Sequence, residues 1–389
     1  MGSGLRMANL DKTINKTLMP CQSSVEFASG ELLFVHDSIL MARPLDHRLG
    51  EFTAPARPIM DGIHSLSAAH LSVISASSSG VMAYSSGVTG DGGFQSSQLY
   101  ILDPDGSHEK PLEEPLMTFG FDLSSDGKYL TLSLPESKNG TFDIWVLDIE
   151  RNLRTRFTFG PESESKGIWD PDNEWITYSS DQSGRSTLFR KKASGTGDEE
   201  ALFDSSTDVI AQDWSSDGNL LSYTETDSTG KFILGIFNLA TKETNAFHGQ
   251  VEYSEGGGCF SPDDKWMAYA STETGNPEIF VESLEPGKGR WRVSADGGYN
   301  PKWAPDGNKL YYQAPGGLIL AVEVESNVNG GLHFGATTQI TDRVEGSLVG
   351  SFAVNQATGQ LIVKRSTQSR KNSTLCLVNN WQQLLPPEK

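Results

Sequence analysis

Lys166 and Glu255 are the residues with which this sequence could move a proton: a lysine and a glutamate at corresponding points of two similar segments, able to act as a polar pair or as an acid and a base. Seven histidines, His36, His47, His64, His70, His108, His248 and His333, could add a metal or a further base. None of them stands in an H-x-H or H-E-x-x-H spacing, so no metal site and no cofactor is expected from the pattern. The Asp103-Pro104-Asp105-Gly106 and Asp170-Pro171-Asp172-Asn173 stretches begin like calcium loops but lack the later ligands and the closing glutamate, which leaves them as turns. No Gly-x-Ser-x-Gly elbow is present, which removes the serine-hydrolase reading. Cys21, Cys259 and Cys376 are too scattered for a disulfide framework, and Cys259, beside Phe260, reads as a small buried thiol. No catalytic residue is assigned.

The elements that must position these groups come from a repeat. An aromatic residue stands three positions before an acidic turn at Trp169/Asp172, Trp214/Asp217, Phe260/Asp263 and Trp303/Asp306, and a tyrosine follows each acidic residue six positions later, at Tyr178, Tyr223, Tyr269 and Tyr312. With Asp126, the turn aspartates are 46, 45, 46 and 43 residues apart. Within each unit the apolar period is two, as in Lys265-Trp266-Met267-Ala268-Tyr269-Ala270, so the segments are strands, four to a unit. Four antiparallel strands repeated every 45 or so residues predict an all-β, closed β-propeller. Six good copies lie between residues 64 and 343 with a weaker one on either side, giving eight blades, or seven if the weak copies merge. The stretch 12–19 reads as a lone fourth strand that closes the last blade, so that one domain spans 12–387, behind a tag-like or disordered start over 1–11.

A propeller gathers one lip residue from each blade at the mouth of its channel. The positions that differ most between otherwise similar units are His70, Phe121, Lys166, Gln212, Glu255, Asn300 and Ser351, and these are the candidate binding residues. Lysine and arginine total 31 against 50 acidic residues, a net charge of -19, so a nucleic acid would be repelled. No run of 18 apolar residues exists, so no membrane insertion is expected, and a monomer is the expected state.

The Ser261-Pro262-Asp263-Asp264 and Ala304-Pro305-Asp306-Gly307 turns, the aromatic before each, and the strand Asp143-Ile144-Trp145-Val146-Leu147-Asp148 resemble the TolB-type, WD-like β-propeller repeats. Leu32-Leu33-Phe34-Val35, Leu40 to Asp46, Arg154 to Phe159 and Val378-Asn379-Asn380-Trp381 are similar to the propellers fused behind kinase-like or DNA-binding regulatory domains in some environmental bacteria. That resemblance implies a sensor or docking module in the periplasm or outside the cell, although this chain carries neither the kinase nor a transmembrane helix. Cytoplasmic action is the alternative location. The expected function is a non-catalytic propeller that binds a protein segment or a small molecule or glycan at the channel mouth. The alternative is a glycan lyase or hydrolase with residues drawn from several blades, for which a mouth cluster of histidine, lysine or arginine, tyrosine and carboxylate would speak.

Overall fold

A computed structural model describes residues 4–8, 15–20, 25–36, 39–61, 63, 65–66, 71–72, 74–86, 97–112, 114, 116–136, 141–182, 184–249, 252–327, 330–341, 352–366 and 374–385. Tertiary contacts group the chain into two compact units, residues 96–367 and residues 1–95 with 368–389.

The first unit is built from six four-stranded antiparallel sheets. Blade 1 comprises Phe121–Leu123, Tyr129–Pro135, Phe142–Asp148 and Leu153–Arg156. Blade 2 starts with Glu164–Trp169, blade 3 with Asp208–Trp214, blade 4 with Glu255–Phe260 and blade 5 with Tyr299–Trp303. Blade 6 joins both ends of the unit, since Phe352–Val354 and Leu361–Ser366 pair onward to Ser97–Leu102 and Lys110–Pro111. The first strands pack on one another in cyclic order, Phe352–Val354 returning to Phe121–Leu123. Each junction between neighbouring blades holds its own apolar cluster, from Ile144, Trp169 and Tyr178 between blades 1 and 2 to Leu99, Leu123, Leu130 and Ile362 between blades 6 and 1.

The repeated turn explains the repeated sequence. The residue after each turn aspartate, Gly127, Asn173, Gly218, Asp264 or Gly307, has φ between 54 and 72°, the left-handed region that glycine, asparagine and aspartate tolerate. Inside the turn, Ser124, Ser215 and Ser261 accept the N–H of Tyr129, Leu220 and Trp266 at 2.9, 2.9 and 3.0 Å, and Asp170 does the same for Trp175 at 2.9 Å. Neighbouring blades are stitched by matching bonds 91 residues apart in sequence. Thr131 donates to the Gly167 carbonyl at 2.6 Å and Ser222 to that of Gly258 at 2.8 Å; Ser125 donates to Pro171 O at 2.7 Å and Ser216 to Pro262 O at 3.0 Å.

The other unit pairs Val25–Ala28, Glu31–His36 and Ile39–Asp46, with Glu51–Phe52 and Arg57–Met60 both on the last of these. A separate sheet joins Ile74–Ala76, Val81–Ser86 and Thr374–Asn379, and Trp381, in a 3-10 turn over Trp381–Leu384, is fully buried beside it.

Among the described residues the pairing departs from expectation in two places. Eight blades closed by residues 12–19 are not confirmed, since Asn15–Pro20 pairs with Gly4–Ala8. The first and last repeats exchange strands: Ser97–Leu102 completes the sheet of Leu361–Ser366, whereas Thr374–Asn379 completes that of Val81–Ser86. The physical reason is that period-two patterning fixes which residues are strands and which way they face, but the partner is chosen by the sheet edge left unsatisfied. No helix among the described residues is long and apolar enough to cross a membrane.

Candidate functional site

The inner strands of the six blades surround a cavity of about 30 Å³ lined by Phe121 and Asp122, Lys166 and Ile168, Gln212, Gly257 and Gly258, Asn300, Pro301 and Lys302, and Phe352. Every blade contributes. Bulges in the first strands of blades 2, 4 and 5 push the chain into this space: two residues, Lys166-Gly167, Gly257-Gly258 and Asn300-Pro301, oppose one on the neighbouring strand. The leading residue of each bulge is left-handed, with φ of 49, 69 and 53°. For Lys166 and Asn300 that conformation costs energy and is held by the surrounding sheet. At Gly258 the fit is tight, since a Cβ would lie 2.7 Å from Leu234 Cδ1.

One position behind the lip, a ring of equivalent residues precedes the strand-end hydrophobe of each blade: Asp122, Ile168, Asp213, Cys259, Lys302 and Ala353. The charged members occupy alternate places. Asp122 Oδ2 accepts the Trp169 N–H at 3.0 Å and Asp213 Oδ2 that of Phe260 at 2.8 Å, so each carboxylate anchors the next blade. Burial raises the pKa of both, opposed by Lys302. For Lys302, burial works against the charge, but Cys259, Asp213 and Asp122 outweigh it and the pKa is raised. Cys259 is buried, and burial pushes its thiol up.

Lys166, buried at the lip, donates through Nζ to Gln212 Oε1 in a very short bond, and Gln212 Nε2 donates to Thr224 Oγ1 at 2.9 Å. Burial, with Lys302 nearby, brings the lysine down to about 7 against the pull of Asp122 and Asp213. Two residues earlier on the same strand, the Glu164 carboxyl is 6 % exposed; Ser180 donates to its Oε1 at 3.3 Å while Oε2 has no partner. Burial pushes it up to about 7. Its counterpart in blade 4 is Glu255, and there the same niche is filled. His248 Nδ1 lies 2.9 Å from Glu255 Oε1 and its Nε2 2.8 Å from Glu282 Oε2; Tyr269 donates to Glu282 at 3.0 Å, and Arg290 forks onto Glu273 at 2.9 and 2.8 Å. The carboxylates more than offset the effect of burial on His248 and raise its pKa. In blade 2 the position equivalent to His248 is Thr158, whose hydroxyl bonds to Glu164 but brings no charge, while Phe157 packs edge-on against Tyr178 as Phe247 does against Tyr269.

Of the candidate residues, Phe121, Lys166, Gln212 and Asn300 come together on the cavity. Glu255 lies off it in the His248 cluster, so the Lys166–Glu255 pair is not formed: each is bonded to a nearer group. His70 and Ser351 lie outside the described residues, as do His64 and Cys21. Asp122, Lys302 and Phe352 were missed. Their signal was a charge at the register where other blades carry Ile168, Cys259 or Ala353, and a second phenylalanine at the Phe121 register. Among the described residues no group of three or more His, Cys, Asp or Glu side chains is arranged to hold a metal.

Residues 91–247 match the family described as the TolB beta propeller domain. A curated relative, the uncharacterized protein Atu1656 of Agrobacterium fabrum, is 27% identical over 121 residues, which make up 31% of this chain and 39% of the relative, so the match spans well under half of that protein. Among solved structures, a protein named as a TolB, from Agrobacterium tumefaciens, aligns with a TM-score of 0.58 at 17% identity over 71% of this chain and 100% of its own, which shows the shared fold. TolB of Acinetobacter baumannii aligns at 0.41 and 12% identity over 89% and 79%.

Proposed function

We propose that this chain, a TolB-type β-propeller repeat protein, is a non-catalytic binding module that takes a protein segment or a small ligand at the mouth of the six-bladed ring. The observation that carries the reading is convergence. Residues that differ from blade to blade, Phe121, Lys166, Gln212 and Asn300, share one small cavity lined by polar side chains together with two phenylalanines. A rigid ring that strains Lys166 and Asn300 into the left-handed region to line this space is preorganised to recognise rather than to rearrange. By resemblance to extracytoplasmic propellers, the periplasm or the cell exterior is the expected place of action.

A peptide-display library selected on the full chain and then measured against Phe121→Ala/Asn300→Ala tests this. Selected peptides should bind the variant at least about tenfold more weakly while binding a Leu153→Ala control normally. Equal binding to all three would overturn the proposal.

A second reading, the glycan lyase or hydrolase, is favoured by the cluster of His248, Tyr269, Arg290 and three glutamates. The bonds of His248 and Tyr269 are directed at other members of the cluster, and none of these residues lines the cavity. Turnover of a uronic-acid polymer that is lost in His248→Gln, read as ultraviolet absorbance of an unsaturated product, would establish the enzyme instead.

A further inference from the structure

We propose that the cavity of the ring is a carboxylate site, in which Lys302 and Lys166 hold one carboxylate of the bound partner; this rests on the channel-mouth reading above.

Two lysines from different blades line the same small space. Lys302 Nζ makes no hydrogen bond and no ion pair within 4 Å among the described residues, so its donors are open to a ligand there. Lys166 bonds to a neutral amide oxygen rather than to a carboxylate. Asp122 and Asp213 offset the burial of Lys302 through space, but neither is in an ion pair with it. Asp122, the acidic lining residue, has one oxygen committed to the Trp169 N–H, and its burial favours the neutral acid. Asp213 anchors Phe260 and does not line the cavity.

Size narrows the class. About 30 Å³ is room for roughly two water-sized groups. Two carboxylate oxygens fill it, and the carbon that carries them meets Phe121, Phe352 and Pro301. A chain-terminal carboxylate and an aspartate or glutamate side chain share this chemistry.

Binding should be proton-linked. The groups acting on Lys166 are Asp122 and Asp213 from the blades on either side and Cys259 and Lys302 from blades 4 and 5, and Glu164 stands on its own strand. Burial and Lys302 leave Lys166 titrating near 7; an incoming anion opposes both effects, so the complex takes up a proton. Affinity should then fall by about tenfold per pH unit above 7, levelling off once pH passes the raised pKa of the bound lysine.

The full chain, with lysine side chains labelled for NMR, is titrated with acetate, with N-acetylglycine as a chain end and with N-acetylglutamate α-amide as a side chain. Saturable shifts of the Lys302 and Lys166 signals are expected, and the tighter of the two amino-acid probes identifies the source. Calorimetry in buffers of different ionisation heat should show proton uptake near neutral pH. Lys302→Met should abolish saturation and Lys302→Arg restore it, with Lys288→Ala as an unaffected control; if Lys302→Met fails to fold, the direct signals and Lys302→Arg still decide. Absence of saturation by all three carboxylates, saturation by inorganic phosphate alone, or shifts that survive Lys302→Met in a folded protein would overturn the proposal. If display peptides still depend on Phe121 and Asn300 while the carboxylates fail, the carboxylate assignment falls and the binding site stands.

Discussion

Replacing Glu164 with glutamine should stabilise the protein at pH 8 and leave it nearly unchanged at pH 4. The carboxyl titrates near 7 in the fold against an ordinary value of 4.5, because it is 6 % exposed and one of its oxygens has no donor. The folded state therefore binds a proton that the unfolded state has released between these two values. Stability contributed by the protonated form is complete below pH 4.5, declines as pH rises and is gone above 7. The gap of about 2.5 units corresponds to about 3 kcal/mol at pH 8, since each unit is worth about 1.4 kcal/mol. An amide presents a similar shape without the charge and removes that penalty. The assay is urea unfolding of both proteins from pH 4 to 9, plotted as a difference so that other groups cancel. The difference should open between pH 4.5 and 7, reach about 3 kcal/mol and stay flat. Lys166 acts in the adjoining window with the opposite sign, its penalty present below 7 and relieved as pH climbs toward its ordinary value of 10.5. A difference that does not change with pH, or a glutamine variant less stable at pH 8, would refute the argument that a buried carboxyl without a cationic partner sits in blade 2.

His248→Gln should show the mirror case: the histidine pKa is raised by Glu255 and Glu282 against burial, so its contribution is present below 6.5 and lost above the raised value, and the variant should lose most stability in acid, as melting from pH 5 to 8 would show. Ring closure depends on Ser97–Leu102 pairing with Leu361–Ser366, so Val363→Pro should lower the melting temperature of the ring strongly, whereas deletion of residues 1–19 should leave the unit formed by 96–367 folded, as hydrogen exchange of the Trp214 and Trp303 amides would report. Ser222→Ala removes the donor to the Gly258 carbonyl and should cost about 1 kcal/mol, and Thr131→Val, at the matching position in blade 1, should cost a similar amount in denaturant titration.

The strands, the turns and their direction were legible because each turn carries its own cause in sequence: an aspartate, then a residue able to take positive φ, as at Asp217-Gly218 and Asp306-Gly307. The candidate lip was partly legible for the same reason. Residues five or six positions before the turn aspartate fall on one ring, as Phe121, Lys166, Gln212 and Asn300 do, whereas Glu255, eight before Asp263, does not. What could not be read was pairing at a distance. Nothing in Ser97–Leu102 names Leu361–Ser366 as its neighbour, and nothing in Glu255 shows that His248 reaches it before Lys166 can. Offsets locate a residue on the ring, but a side chain's partner depends on which blade supplies the nearest complementary group.

The stitching between blades shows how few changes separate a structural niche from a titrating one. Glu164 and Glu255, Tyr178 and Tyr269, Gly167 and Gly258, and Asp122 and Asp213 recur at one spacing of 91 residues, two blades apart. The backbones they sit on make the same bonds, since Trp169 and Phe260 both donate to the aspartate of the preceding blade. With scaffold and carboxyl held constant, the remaining variable is the second residue after the previous blade's last strand: Thr158 beside Glu164, His248 beside Glu255. An imidazole supplies a donor and a charge, and the Glu255 carboxylate is satisfied. The Thr158 hydroxyl supplies a donor but no charge, and burial outweighs it, so the Glu164 carboxyl takes its proton from solvent. The proton-sensitive group therefore sits beside Lys166, on the strand that lines the cavity, while its neutralised twin sits beside Gly257, which has no side chain to titrate. Exchanging the two, Thr158→His with His248→Thr, should move the pH-dependent penalty from blade 2 to blade 4 and leave the total change in stability between pH 5 and 8 of similar size. A variant whose pH dependence stayed with Glu164 would show that this neighbour is not what decides it.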